Sequence, residues 1–142
     1  MTTRIDARFA ERARMQAVFN TTPRGFGAFF EAWDIILTPI TALPTLKVGA
    51  TEYLTLSDNP SVRDWFGHLW RNFAFTPLAN LSGLPAISLP LAQHENGLPL
   101  GIQAQARQAN DGLLLQLAAQ IERALGGKWN GGRTPGVHVT NG

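Results

Sequence analysis

The fold is decided by two short runs, Ala86-Ile87-Ser88-Leu89-Pro90-Leu91 and Leu100-Gly101-Ile102-Gln103-Ala104-Gln105-Ala106. Apolar residues in the second run alternate with Gly101, Gln103 and Gln105, which is the period of two that a β-strand imposes on its faces. Asn96-Gly97 between the runs is a turn signal. The sequence therefore predicts an antiparallel hairpin over residues 86–106.

The second predicted strand carries three residues that an apolar core would not require. Gln103 and Gln105 share one face, where they are expected to bond polar groups on a covering element. Gly101 stands on the same face, and a glycine within a strand predicts either a bulge or a close approach of another backbone.

Helices are predicted on both sides of the hairpin. Upstream, a helical segment over residues 59–83 ends in a short helix that Gly83 closes. Downstream, Asn110 or Asp111 begins a helix over residues 110–127. The apolar stripe of this last helix consists of Leu114, Leu117, Ala118, Ile121 and Leu125.

The N-terminal residues 1–33 are also predicted to be helical. Apolar residues recur at helical spacing from Ile5 to Ala17, and Asn20-Thr21-Thr22-Pro23 is expected to interrupt the helix. Thr22 would then cap a second helix with Pro23 at its first position. The buried side of that second helix would carry Phe26, Phe29, Phe30 and Trp33.

Residues 34–39 are predicted to be a buried strand, because a short apolar run ends there at Pro39. Ile35-Ile36-Leu37 is expected to be buried on both faces, as in strands from the middle of large sheets. Residues 40–58 are predicted to be an extended loop, and residues 128–142 a loosely held tail. The expected fold is therefore one α/β domain over residues 1–142, with a small mixed sheet and flanking helices.

Composition excludes several classes of function. The absence of cysteine rules out disulfides, thiolate catalysis and cysteine metal sites. The net charge of +2 is too small to argue for nucleic acid as a partner. His68, His94 and His138 lack metal-ligand spacing, so neither a metal nor a cofactor is expected. No apolar run approaches the roughly 20 residues that span a bilayer, so we expect a cytoplasmic protein without a membrane partner.

Four blocks of sequence occur in the order and at the separations of a known family. They are Trp33-Asp34-Ile35-Ile36-Leu37-Thr38-Pro39, Phe75-Thr76-Pro77-Leu78-Ala79-Asn80-Leu81-Ser82-Gly83-Leu84-Pro85-Ala86-Ile87-Ser88-Leu89-Pro90, Gly97-Leu98-Pro99-Leu100-Gly101-Ile102-Gln103 and Leu113-Leu114-Leu115-Gln116-Leu117-Ala118. Together they resemble the C-terminal part of amidase-signature amide hydrolases. The tail from Trp129 to Pro135 is similar to the end of members that act on nylon-type amides, the 6-aminohexanoate-cyclic-dimer hydrolase type.

The resemblance implies a large α/β/α enzyme that cleaves C–N amide bonds. A serine nucleophile, a second serine held by a cis peptide and a neutral lysine base would do the chemistry. None of these residues can be assigned in this sequence, whose four serines stand singly and whose two lysines are Lys47 and Lys128. The catalytic residues are therefore expected outside this chain.

Four residues in the matched blocks are candidate substrate-binding residues. Thr38 follows a strand, where loops of α/β enzymes often face a ligand; the structural alternative is that Pro39 simply ends the strand and Thr38 bonds backbone. Asn80 would contact the loop into the hairpin, or simply organise that turn. Phe73 and Phe75 would line a cleft for an apolar or aliphatic amide, with core packing as the alternative.

Three functions remain open at this stage. The first is an amidase segment that is inactive alone and that either joins a missing N-terminal amidase portion or self-associates through exposed strand edges. The second is a stand-alone, non-catalytic module that binds a small molecule or acts as a scaffold. The third is an independent enzyme that uses Ser82 or Ser88 with His94.

Overall fold

The computed structural model describes residues 4–45, 61–95 and 97–132. Most of the loop predicted over residues 40–58, the predicted helix start at Asn59-Pro60, Asn96 of the predicted turn, His138 and the tail beyond Gly132 lie outside the described residues. The helices are α1 (Arg4–Phe29), α2 (Val62–Asn72), α3 (Pro77–Ser82), α4 (Asp111–Ala124) and a 3₁₀ turn at Trp129–Gly132. The strands are β1 (Ile35–Pro39), β2 (Ala86–Gln93) and β3 (Pro99–Ala106).

The three strands form one sheet in the order β1-β3-β2. The predicted hairpin is confirmed, since β2 pairs antiparallel with β3, and a register shift lies between Leu89 and Ala92. On the other side of β3, β1 is also antiparallel, with Thr38 opposite Gln103. The α/β fold class is confirmed, but the sheet is not mixed as predicted, because within the described residues both strand pairings are antiparallel.

The hydrophobic core lies between the sheet and α4. Ala104 and Ala106 of β3 are fully buried against Leu114 of α4. The period of two along β3 sends these alanines to one face and the glutamines to the other. Partly buried side chains complete the core, namely Ile35, Ile87, Leu113 and Leu117.

The predicted break in the N-terminal helix is wrong, because α1 runs without interruption from Arg4 to Phe29 and contains Pro23. Proline removes a backbone donor and usually breaks a helix interior. The Oγ1 hydroxyls of Thr21 and Thr22 donate to the carbonyls of Ala17 and Val18, both at 2.8 Å, but these bonds do not replace the one that Pro23 removes at the Phe19 carbonyl. The helix therefore continues through Pro23 at the cost of one backbone hydrogen bond.

The predicted burial of several aromatic and apolar residues is also wrong. Of the side chains expected to line the inner side of the helix, Phe30 is buried, whereas Trp33 is 64% exposed. Trp65 and Trp70 of α2 are likewise exposed. Leu37, expected in the middle of a sheet, is 61% exposed on the edge strand β1. The reason is the same in each case: none of the described elements covers these side chains.

The glycine signals are correct. Gly83 adopts φ 65°, a left-handed conformation that closes α3, and its N–H donates to the Ala79 carbonyl. Gly101 shows the predicted close approach, since a Cβ at this position would collide with the side chain of Ile40. Asn110 stands at the N-cap of α4, but its side chain makes no capping hydrogen bond.

Candidate functional site

A cavity of about 530 Å³ lies where β2 begins, between α3 and the sheet. Its floor includes Gln103 of β3, and its rim includes Ala109 and Asp111 at the start of α4. We call the face of the sheet that carries Thr38, Ser88, Gln103 and Gln105 the glutamine face. The cavity opens over this face, opposite the alanine-lined core.

The short helix α3 and its termination form one wall of the cavity. Thr76 occupies the N-cap position and Pro77 the first turn, where a missing backbone N–H costs nothing. Ala79 is buried, whereas Asn80, the next residue, is exposed at the cavity. The Leu84 N–H then donates to the Ala79 carbonyl at 3.1 Å, which turns the chain toward β2.

Gln103 is held by two neighbours on the glutamine face. Its Oε1 accepts from Gln105 Nε2 at 3.1 Å and from Thr38 Oγ1 at 3.5 Å. Gln103 is only 8% exposed and Gln105 only 1% exposed. The two donors fix the orientation of the Gln103 amide, so that its NH₂ group is the one left over.

Two buried oxygens near this site have no hydrogen-bond partner among the described residues. They are Gln105 Oε1 and Ser82 Oγ. A buried acceptor without a donor costs about 1–3 kcal/mol. Gln105 on the glutamine face and Ser82 on α3 therefore each have an oxygen that the described residues leave without a hydrogen bond.

The loop from β3 to α4 has a strained backbone at the cavity rim. Ala109 adopts φ 62°, and it is the only described residue other than glycine with a positive φ. The left-handed region costs a residue with a Cβ about 1–2 kcal/mol. The Asn110 N–H donates to the Arg107 carbonyl at 3.0 Å, which closes this tight turn and places Asp111 at the cavity. Strain of this kind often accompanies functional sites.

The structure brings two of the four predicted site residues to this region. Asn80 lines the cavity directly, and Thr38 reaches it through its hydrogen bond to Gln103. Phe73 ends α2, where its N–H donates to the Leu69 carbonyl, and Phe75 accepts from the Leu78 N–H. Both rings are half-buried, and neither lines this cavity. Their proposed contact with substrate stays a prediction.

Sequence reasoning missed the contributions of Thr76, Gln103 and Asp111 to the cavity. For Gln103 a signal existed, because two glutamines share one face of an otherwise apolar strand. The expected partner was a covering helix, whereas the two glutamines bond each other. Nothing in the sequence placed Asp111 opposite α3, since that depends on the turn at Ala109.

The serine and histidine candidates for an independent enzyme do not meet. Ser88 and His94 lie six residues apart along one hairpin arm, a separation of about 20 Å in extended chain. Ser82 Oγ and His94 Nδ1 are each buried without a hydrogen-bond partner among the described residues. His94 instead lines a separate cavity of about 220 Å³ with Pro39 and Leu100.

The described residues contain neither a candidate metal site nor a candidate membrane-spanning helix. Within residues 4–45, 61–95 and 97–132, no group of three His, Cys, Asp or Glu side chains is placed to hold a metal ion. In the same ranges, no helix has the length and apolar character needed to cross a membrane.

Comparison with known proteins matches residues 4–115 to the amidase family. The amidase-family protein AmiC of Mycobacterium tuberculosis is 43% identical over 96 residues, which cover 68% of this chain and 19% of AmiC. The 6-aminohexanoate-cyclic-dimer hydrolase of Paenarthrobacter ureafaciens is 38% identical over 95 residues, which cover 66% of this chain and 19% of that hydrolase.

Comparison of the fold with solved structures also leads to the amidase family. A solved structure of 6-aminohexanoate cyclic dimer hydrolase superposes with a TM-score of 0.67 at 33% identity, over 96% of this chain and 27% of that one. The chain thus spans about a fifth of the length of the relatives that it matches, 19% for AmiC. Sequence blocks, topology and family match agree, and the chain belongs to the amidase family.

Proposed function

We propose that this chain is the C-terminal segment of an amidase-type hydrolase that cleaves C–N amide bonds. In this proposal it supplies one wall of the substrate pocket and is catalytically incomplete alone. The Ser–cis-Ser–Lys residues of the complete enzyme lie outside these 142 residues. Family membership supports the hydrolase class, and the cavity supports the role as a pocket wall.

The observation that carries the proposal is apolar surface that no described element covers. Leu37 on β1 and Trp65, Phe66 and Trp70 on α2 are all exposed. Exposed apolar area of this kind marks an interaction surface. The matched segment is about a fifth of the length of its relatives, 19% for AmiC, so the remaining part of such an enzyme is the natural cover.

The chemistry of the side chains supports incompleteness. An amide-cleaving serine needs an adjacent base within hydrogen-bond reach. Ser82 Oγ has no partner among the described residues, and Ser88 lies far from His94 along the strand. Among the described residues, the cavity lining offers two side-chain amides, one hydroxyl and one carboxylate, which are groups that orient a substrate.

A stand-alone binding or scaffold module is the second candidate. The observation in its favour is that residues of α3, β2, β3 and the start of α4 line the cavity together within this chain. This candidate predicts saturable binding of a small amide by the chain without any gain of hydrolysis when other amidase segments are added. The first candidate predicts such a gain.

The test is complementation of an amidase relative. The hydrolase of Paenarthrobacter ureafaciens is produced without the part that matches this chain, and release of product from its cyclic-dimer substrate is measured with and without the 142-residue chain. We expect no hydrolysis by either piece alone and hydrolysis by the mixture. A chimera that carries this chain in place of the deleted part is the covalent version of the same test.

Two outcomes would contradict the proposal. Hydrolysis by the purified chain alone would show that it holds its own catalytic residues. A folded chimera that binds substrate but never hydrolyses it would favour the binding module instead.

A further inference from the structure

We infer that Gln103 is a specificity-determining residue whose side-chain NH₂ donates to the carbonyl oxygen of an aliphatic amide held in the cavity, while Asp111 accepts from an amino group at the ligand's other end. The amide class of the ligand rests on the proposed function. The assignment of the two residues rests on their hydrogen bonds and positions in this structure.

The first step is the orientation of the Gln103 amide. Its Oε1 already receives Gln105 Nε2 and Thr38 Oγ1. Its Nε2 has no hydrogen bond to any residue in the described ranges, and it is not among the fully buried unpartnered atoms. Gln103 lines the cavity, so the free donor is the group that a ligand meets.

The second step is rigidity. Gln103 is 8% exposed and lies in the central strand of the sheet, between Thr38 on β1 and Ser88 on β2. A donor fixed in this way loses little conformational freedom when it binds an acceptor. The ligand group that fits is a carbonyl oxygen.

The third step is charge. Among the described residues that line the cavity, Asp111 is the only charged one and none is basic. The strained turn at Ala109 holds it at the rim. A carboxylate without a basic neighbour favours an ammonium or N–H group and repels an anion. The cavity of about 530 Å³ is within the range of small-molecule pockets.

The test uses the full 142-residue chain and two probes of nearly equal length, pentanamide and 5-aminopentanamide. Binding is followed by the ¹⁵N and ¹H shifts of backbone and glutamine side-chain amides. We expect saturable shifts that include the Gln103 NH₂ group. Gln103→Met should weaken both probes about tenfold, as expected for one hydrogen bond of about 1.4 kcal/mol. Asp111→Asn should weaken only 5-aminopentanamide, about three- to tenfold.

Matched controls separate these effects from general destabilisation. Gln116→Met and Asp34→Asn change exposed residues of the same types outside the cavity lining and should leave both affinities unchanged. If Gln103→Met does not fold, Thr38→Val removes one of the two donors that orient Gln103. That variant should weaken both probes about threefold.

Each remaining outcome is decisive. Absence of saturable shifts in the unaltered chain, or equal affinity of Gln103→Met and the unaltered chain, overturns the inference. Because binding is measured without hydrolysis, failed complementation together with the expected binding pattern overturns only the proposed enzyme role. Successful complementation with a Gln103→Met chain that binds normally overturns only the inference.

Discussion

The side chain of Ile40 occupies the space over Gly101 where any other residue would place its Cβ. The two residues are also joined through the backbone, since the Ile40 N–H donates to the Gly101 carbonyl at 3.1 Å. This hydrogen bond continues the pairing of β1 with β3 by one residue beyond Pro39, in the same register that places Thr38 opposite Gln103. The contact between Ile40 and Gly101 therefore belongs to the same strand pairing that aligns Thr38 with Gln103 on the glutamine face.

Gly101→Ala is expected to destabilise the chain by about 1 kcal/mol, the low end of the cost of overpacking, because the added methyl group meets the flexible end of the Ile40 side chain, which has to move. The measurement is urea denaturation followed by far-UV circular dichroism. The double variant Gly101→Ala with Ile40→Ala should recover part of the loss, since it removes the obstructing side chain. Gly67→Ala is the control: nothing lies within 4 Å of its Cβ position in α2, so it should stabilise by about 0.5–1 kcal/mol. Equal effects at both glycines would contradict the structure.

Pro23→Ala is expected to increase the stability of α1, because alanine restores the backbone donor that proline lacks. In a helix interior, alanine is more favourable than proline by about 3 kcal/mol, and Pro23 lies inside α1. The measurement is amide hydrogen exchange across α1, with protection expected to rise around residues 19–27. Pro77→Ala is the control at the first position of α3, where proline is tolerated and little should change. If protection stays unchanged around Pro23, the helix is not continuous there in solution.

The hairpin and the last helix could be predicted because their signals are local. The period of two from Leu100 to Ala106 and the closing residue Gly83 act through backbone geometry alone. The break expected at Pro23 was wrong because α1 continues through the proline and loses only the backbone hydrogen bond to the Phe19 carbonyl. A propensity rule gives the cost of that proline but not whether the rest of a 26-residue helix outweighs it.

Burial was predicted less well because it depends on what covers a side chain. The apolar run at Ile35-Ile36-Leu37 correctly indicates a strand, but Leu37 lies on an edge that no described element covers. The cavity was not predictable because Asp111 reaches it only through the left-handed turn at Ala109. Alanine rarely adopts that conformation, so the sequence carries no signal for it.

Ala109→Gly is expected to stabilise the chain by about 0.5–1 kcal/mol. Glycine removes the cost of about 1–2 kcal/mol for a Cβ in the left-handed region, and its greater freedom in the unfolded state offsets part of that gain. The free energy of unfolding is measured by chemical denaturation. Ala119→Gly, within α4, is the matched control and should destabilise by about 1 kcal/mol. Loss of stability at both positions would mean that residue 109 is not left-handed.

Leu37→Lys is expected to reduce association of the chain with copies of itself. β1 and β2 are the two edges of the described sheet, and an exposed apolar edge invites pairing with another strand, whereas lysine on an edge opposes it. Sedimentation velocity at increasing protein concentration should show association of the unaltered chain and a monomer for the variant. Leu115→Lys is the control, because Leu115 is 66% exposed on α4 against 61% for Leu37 on β1. If both variants reduce association equally, general apolar exposure drives it. If the unaltered chain stays monomeric at all concentrations, the open edge does not recruit a second copy, and the missing amidase portion remains its expected partner.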